Sequence, residues 1–463
     1  MRPTAVLGFL LALLMVGCAA PSDPPNIVLV YVDDMGWRDL AVQGSNYYLT
    51  PQIDQLAGEG RRYTSAYANA PNCAPSRAAL LTGLYGPRHG IYTVNSAARG
   101  RAENRKLIPP ENQTVLDTSF VTIAEALRDK GYRTGFFGKW HLGEDVFGPT
   151  GQGFDEAAGW TALGSPPSYS WPYERGAFTL TDLRDSGQPG ENLTDRLVDE
   201  SIRFIEGGEA PFFLMLSHYA VHTPIQADSA RIGRFDTRPA DGGHRDARYA
   251  SMIAAVDDGL GRLREALDRT GQAENTYIVF MSDNGGYGPI TDMLPLRGSK
   301  GMLYEGGVRV PLLVVGPGIE PGLDDTPVMG ADLYPTFLDW AGSSTQELDG
   351  RSLDDLRAWE RPLFWHFPAY LEAYRGQEGP WRTTPASAMR RGRFKLIRFY
   401  EDGGDELYDL VADPGESVNL AADRPRLATE LGHQLNEWLE ETEAYLPRPV
   451  APAPGPTTGS SRP

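Results

Sequence analysis

In Asn26-Ile27-Val28-Leu29-Val30-Tyr31-Val32-Asp33-Asp34 an unbroken apolar, β-branched run stops on two adjacent carboxylates. A run without polar alternation predicts a strand buried on both faces, as in a parallel sheet covered by helices on each side. Two neighbouring carboxylates at its end repel unless a cation or water neutralises them. Ligands of open α/β sheets bind at such strand ends. Asp33-Asp34 therefore reads either as a solvated turn or as part of a metal site.

Four more apolar runs follow, at residues 133–137, 212–216, 276–282 and 310–315. Between them, Phe120, Ile123, Ala124 and Leu127 are spaced for one face of a helix, with Thr118 or Ser119 as cap and Gly131 as terminator. A longer helical stripe runs through Tyr249, Met252, Ile253, Val256, Leu260, Leu263 and Leu267. From about Arg361 the pattern changes to short strands at 363–367, 391–400 and 406–410, then a helix with Leu427, Leu431, Leu435, Trp438 and Leu439 on one stripe. The fold expected is α/β, a large mixed and mostly parallel sheet flanked by helices, plus a smaller C-terminal α+β subdomain with an antiparallel sheet.

Cys73-Ala74-Pro75-Ser76-Arg77 is the second informative stretch. Pro75 suits the first turn of a helix that continues through Ala78-Ala79-Leu80-Leu81. Cys73 then lies at a helix N-terminus, where free N–H groups and the dipole favour negative charge, so an acidic, reactive thiol is expected. The bland alternative is a small buried cysteine. Against it stand the turn-forming flanks Ala70-Pro71-Asn72 and the cation of Arg77 one turn on.

Cys-x-Pro-Ser-Arg followed by Ala-Ala-Leu-Leu-Thr-Gly resembles the signature of the type I sulfatases, and the resemblance extends over about residues 26–420. It implies an alkaline phosphatase-like fold and a Cys73 oxidised by a formylglycine-generating maturase, whose hydrated aldehyde attacks sulfur and passes through a formylglycine-sulfate intermediate. Asp33-Asp34 and Asp283-Asn284 match the family's two metal-ligand pairs, with residue 73 completing the coordination. The oxygen-only protein ligands favour Ca²⁺, with Mg²⁺ as the alternative. Gly138-Lys139-Trp140-His141-Leu142-Gly143 matches a motif whose Lys and His contact formylglycine and sulfate, and His222-x-Pro matches the sulfate-binding proton donor. Lys300, in the loop 295–311, matches the lysine that grips sulfate. Arg77 is expected to stabilise charge on the transferring group, Arg297 and His366 to touch substrate, and His218 to be packed or pocket-lining. Tyr169 to Tyr173 and Trp365 to Tyr370 are candidate aromatic platforms for sugar rings, although core packing is the commoner fate of such clusters.

The chain of 463 residues can bury one large core or two unequal ones. Its 52 Gly and 37 Pro predict long ordered loops, where function usually resides. A formal charge of −18 argues against nucleic acid and against a basic membrane-docking face. It leaves an anionic substrate open, because exposed charges are screened within about 10 Å at roughly 0.1 M salt. Met1-Arg2-Pro3-Thr4 followed by an apolar run over residues 5–16 reads as an export signal too short to span a bilayer. Met15-Val16-Gly17-Cys18 resembles a bacterial lipobox with Met in the usual Leu position, which makes Cys18 the lipidated first residue. A plain secretory signal is the alternative. With Cys18 in the signal or lipidated, Cys73 is an unpaired thiol in an oxidising compartment, which fits its conversion to formylglycine.

The expected organisation is a signal with lipobox at 1–18, a linker at 19–25, a catalytic domain at 26–360, a C-terminal subdomain at 361–446 and a disordered tail at 447–463. The expected activity is hydrolysis of sulfate monoesters on sulfated oligo- or polysaccharides, marine algal glycans being the narrower expectation, by an exported enzyme that is periplasmic or held on the outer membrane by its lipid. Rival readings are a formylglycine phosphonate monoester or phosphodiester hydrolase and a non-catalytic lipoprotein that binds sulfated glycans. A two-metal alkaline phosphatase is disfavoured, since its histidine ligands and Ser or Thr nucleophile are not evident.

Overall fold

The computed structural model describes residues 23–208, 211–343, 347–356 and 361–450. The signal segment, Cys18 and residues 451–463 of the expected tail lie outside these.

Among the described residues the main sheet has eight strands: β1 Asn26–Val32, β2 Arg61–Tyr63, β3 Arg133–Gly138, β4 Glu156–Ala158, β5 Phe212–Ser217, β6 Thr276–Ser282, β7 Leu312–Val315 and β8 Gly322–Asp324. Their order is β8-β2-β7-β6-β1-β5-β3-β4. β7 runs antiparallel to both neighbours and the other pairings are parallel. β1 sits in the middle and is buried throughout. Its Val28, Val30 and Val32 enter one core layer and its Ile27, Leu29 and Tyr31 the other.

Helices cover both faces. On the first lie α1 Pro51–Glu59, α4 Leu193–Glu206 and α5 Ala247–Arg269. On the second lie α2 Cys73–Thr82, α3 Ile123–Arg128 and α6 Leu333–Trp340. Two of the boundaries that differ from the sequence reading have a local cause. α3 is capped by Thr122, whose hydroxyl accepts from the Glu125 N–H while Glu125 reaches back to the Thr122 N–H, so Phe120 stays outside the helix. β7 begins at Leu312 because Pro311 has no N–H to give the ladder.

The C-terminal sheet comprises β9 Leu363–Phe367, β10 Ala386–Arg391, β11 Phe394–Phe399 and β12 Asp405–Asp409, antiparallel in that order. Helix α7, Pro425–Glu441, buries Ala428, Leu431, Leu435, Trp438 and Leu439 against it. The tail expected from residue 447 starts in ordered structure instead. Arg448–Pro449 pairs antiparallel with Leu107–Ile108. Pro449 is tolerated because the neighbouring Val450 N–H makes the bond, to the Lys106 carbonyl at 3.1 Å.

Candidate active site

β1, β3, β5 and β6 point the same way, so Asp33-Asp34, Lys139, His218 to His222 and Asp283-Asn284 all leave the sheet at one edge. The antiparallel β7 brings the loop before it, with Lys300, back to that edge. Close approach is possible at β3 because Gly138 has φ +111° and a Cβ there would come within 2.0 Å of the Ser217 carbonyl. The next N–H, of Lys139, donates to that same carbonyl at 2.7 Å.

Three carboxylates meet three cations here. Lys139 Nζ lies 2.5 Å from Asp33 Oδ2, Lys300 Nζ 2.7 Å from Asp34 Oδ1, and Arg77 NH2 2.8 Å from Asp283 Oδ2. Arg77 also donates to the Lys139 carbonyl at 2.8 Å and to Ser217 Oγ at 2.6 Å, and lies over the Tyr31 ring. Burial drives the Asp33 carboxyl well above the usual range, against the pull of Lys139. Burial acts the same way on Asp34, but Lys300 and His222 outweigh it and hold that carboxyl low.

Carboxylate oxygens of Asp33, Asp34 and Asp283 lie within 4.8 Å of one another. Asp33 Oδ1 and Asn284 Oδ1 are buried acceptors with no hydrogen-bond donor among the described residues. Convergent hard oxygens, one of them unsatisfied, with the free Asn284 Oδ1 next to Asp283 in sequence, suit a divalent cation bound by oxygen.

Cys73 begins α2, 1% exposed, with its Sγ 3.3 Å from Lys300 Nζ. The acidic thiol expected from its helix-terminal position is not what the structure gives. Burial pushes the thiol up to about 12, against the opposing pull of Lys139 and Lys300.

A cavity of about 360 Å³ opens onto residue 73 and is lined also by Asn72, His141, Gly164, His222 and Lys300. Arg77 and Lys139 do not line it; both are fully buried behind the carboxylates they neutralise. His222 Nδ1 lies 2.8 Å from the Thr223 carbonyl, and since a carbonyl only accepts, Nδ1 carries the proton. Nε2 is left facing Asp34 Oδ2 at 3.6 Å. Burial first, then Lys300, pushes the His222 imidazole down to about 3. His141 stands at φ +67° with its ring against Gly164, where an added Cβ would meet Cε1 at 2.3 Å.

A Sulfatase family model matches residues 25–343, and a second, for the C-terminal region of N-sulphoglucosamine sulphohydrolase, matches residues 299–444. The chain belongs to the sulfatase family. This sulfatase is a sulfuric ester hydrolase with an alkaline phosphatase-like fold, and its family implies a formylglycine and a divalent metal. It is 33% identical to a protein named Sulfatase from Formosa agariphila, over 91% of this chain and 89% of that one. It is 32% identical to human N-acetylgalactosamine-6-sulfatase, over 76% of this chain and 70% of that one. In structure it resembles Ps i-CgsB, crystallised in complex with k-i-k-neocarrahexaose, at a TM-score of 0.73 and 29% identity, over 90% of this chain and 93% of that one.

Asp33, Asp34, Cys73, Arg77, Lys139, His141, His222, Asp283, Asn284 and Lys300 of the sulfatase thus share one sheet edge. Two expected substrate contacts do not. Arg297 donates to Tyr408 Oη and the Glu416 carbonyl, both at 3.0 Å, and stacks on Tyr304, so it ties the Lys300 loop to the C-terminal sheet. His366 is buried, with Nδ1 2.7 Å from Ser387 Oγ and Nε2 3.1 Å from the Tyr445 carbonyl. His218 is packed and fully buried. The proposed aromatic platforms are core: Tyr169 and Tyr173 belong to the first core layer, and Trp365, Phe367 and Tyr370 are buried. The aromatic side chain lining the cavity is Phe178. Arg99, Arg175 and Arg382 also line it, and the sequence reading missed them.

Proposed function

We propose that this enzyme removes sulfate from sulfated oligo- or polysaccharides, such as those of marine algae, using formylglycine at position 73 and Ca²⁺ at the Asp33, Asp34, Asp283 and Asn284 oxygens. The observation that carries the reading is the convergence of the Asp33, Asp34 and Asp283 oxygens, with Asp33 Oδ1 unsatisfied among the described residues, beside the place where Cys73 and Lys300 meet. The carbohydrate substrate is supported by the names of relatives and neighbours, human N-acetylgalactosamine-6-sulfatase and Ps i-CgsB with its neocarrahexaose. Mg²⁺ is the alternative ion, decided by the metal content of purified enzyme.

When present, formylglycine supplies the oxygen nucleophile and the cation supplies charge stabilisation. The chain's own residues do the rest. Lys300 meets the sulfate charge from the cavity wall, while Lys139 and Arg77 fix Asp33 and Asp283 in ligating positions. His222, anchored through Nδ1–H on the Thr223 carbonyl, offers Nε2 to the leaving alcohol. An anionic ester arriving beside it favours the protonated ring it needs as general acid. His141 lines the cavity together with residue 73, and its Nδ1, without a partner among the described residues, would be free to take up a proton there.

The test is release of inorganic sulfate from sulfated oligosaccharides by protein co-expressed with a maturase. Turnover that vanishes in Cys73→Ala supports the reading; turnover restricted to small aryl or choline sulfates, or a higher kcat/KM on matched phosphonate esters, rejects it. Export through residues 1–18 and lipidation of Cys18 complete the proposal. A lipid mass on the mature N-terminus supports them, and an unmodified N-terminus contradicts the anchor.

A further inference from the structure

Lys139, Lys300 and Arg77 are each taken up by a carboxylate of the sheet edge. The cavity nevertheless holds three further guanidinium groups, those of Arg99, Arg175 and Arg382. They come from separate segments: the loop before Gly100, the hairpin of Glu174–Arg175 with Phe178–Thr179, and the short strand Trp381–Thr383. Among the described residues none of the three has a carboxylate oxygen within 4.0 Å, in a protein whose arginines elsewhere are densely paired, as Arg231 is with Asp195, Asp228 and Asp258.

Their own contacts leave charge to spare. Arg99 donates to the Val94 carbonyl. The Glu372 carboxylate near it accepts from the Gly100 N–H at 3.1 Å. Arg382 lies over the Tyr374 ring at 4.1 Å, and its buried Nε has no acceptor. Burial disfavours the charge on Arg99, and the pull of Glu372 outweighs the repulsion from Arg382. Arg175 is exposed at the cavity rim. Glu372 is the one carboxylate among the described residues that acts on Arg99, so three guanidinium groups lining one cavity leave positive charge that an arriving anion would meet.

We propose that Arg99, Arg175 and Arg382 form a second anion subsite, which binds another negatively charged substituent of the saccharide whose scissile sulfate lies at residue 73. This rests on the sulfatase reading and narrows it: the preferred substrate carries at least two anionic groups. A planar guanidinium pairs bidentately with a sulfate ester or a carboxylate, so either substituent fits.

The experiment compares three saccharides on one scaffold, bearing the scissile sulfate alone, with a second sulfate, or with a carboxylate. Matured, metal-loaded enzyme is expected to prefer a dianionic substrate at least tenfold in kcat/KM, and the preference should shrink with added NaCl. The Arg99→Ala/Arg382→Ala double variant should bring that ratio close to one. Arg175→Ala, at an exposed position, should reduce it with the melting temperature unchanged. Calorimetric binding of the same saccharides to Cys73→Ala protein gives the comparison independently of turnover. Preference for the second sulfate or for the carboxylate names the anion. Equal affinity and equal kcat/KM for all three, or a preference that survives the double substitution, overturns the subsite. Loss of sulfate release from every ester, 4-nitrophenyl sulfate included, with the binding preference intact, overturns the sulfatase reading and leaves the subsite standing.

Discussion

At the sheet edge Asp33, Asp34 and Asp283 meet Lys139, Lys300 and Arg77; beneath the C-terminal sheet Glu305 and Glu416 meet Lys395. Both clusters are buried; three cations meet three carboxylates in the first, and in the second Arg309, 3.5 Å from Glu305, adds a second cation to Lys395. In the second, acceptors and donors close on one another. Lys395 Nζ lies 2.9 Å from Glu305 and 3.0 Å from Glu416, Tyr67 Oη donates to Glu305 at 2.7 Å, and the Glu305 N–H donates to Glu416 at 2.6 Å. In the first, Asp33 Oδ1 and Asn284 Oδ1 are left over among the described residues, and a cavity opens onto Cys73, whose Sγ lies within 4.8 Å of an Asp33 oxygen. The closed cluster fastens the Glu305 part of the Lys300 loop to the C-terminal sheet; the open one keeps oxygens in reserve for a cation. Burial alone does not separate structural from catalytic charge: Glu416 Oε1 also accepts no directed hydrogen bond but is held by Lys395 Nζ at 3.0 Å, whereas among the described residues Asp33 Oδ1 and Asn284 Oδ1 have neither a hydrogen bond nor an ion pair.

That contrast is most sharply exposed by substitutions that should lose different things. Asp33→Asn keeps volume and removes a carboxylate already driven toward its neutral form by burial. It is expected to cost about 10³-fold or more in kcat/KM for sulfate release, with a smaller loss of stability than at Lys395, because the Asn carbonyl still accepts from the buried Lys139. Lys395→Met should do the reverse, costing about 3–5 kcal/mol in urea unfolding because it strands two buried carboxylates. A Lys395→Met protein as stable as wild type would break the comparison.

A smaller effect is expected at the cavity wall. His222→Ala should slow esters of poorly leaving alcohols by about 10²-fold or more and activated aryl sulfates far less. Equal losses on both would remove His222 as the acid.

The smallest effect lies away from the site. Burial pushes His89 down to about 3 and His366 down to about 4, below the roughly 6.5 of an unfolded chain. The unfolded state therefore binds more protons, and stability present above about pH 6.5 is lost as pH falls toward the folded values. The stability gap between wild type and His366→Gln should narrow from about pH 7 to about pH 4.5 in urea titrations. A gap independent of pH would contradict it.

Legibility followed burial and locality. β1, β5 and β6 could be read because a strand buried on both faces has no polar alternation, and their ends carried compact motifs. Helix α4 carries an equally regular stripe, Leu193, Leu197, Val198, Phe204 and Ile205, behind its Asn192 cap, and went unread beside the louder motifs. β2, β4 and β8 are three residues each and partly polar; pairing with distant strands creates them. In the site, Asp33, Asp283 and Lys300 were legible one motif at a time. Arg99, Arg175 and Arg382 were not, since each is an isolated loop or edge arginine and only tertiary folding gathers them. Arg297 and His366 misled for the converse reason: their residue types suit a ligand, but Tyr408, Tyr304 and Ser387 already occupy them.

The claim on which the site depends is that the sheet edge is built around an oxidised residue 73. Mass spectrometry of the peptide carrying that position, from protein co-expressed with a formylglycine-generating maturase, tests it most directly. The account predicts the aldehyde or its hydrate at position 73, with sulfate-releasing activity proportional to its fraction; an intact thiol in fully active enzyme would contradict it.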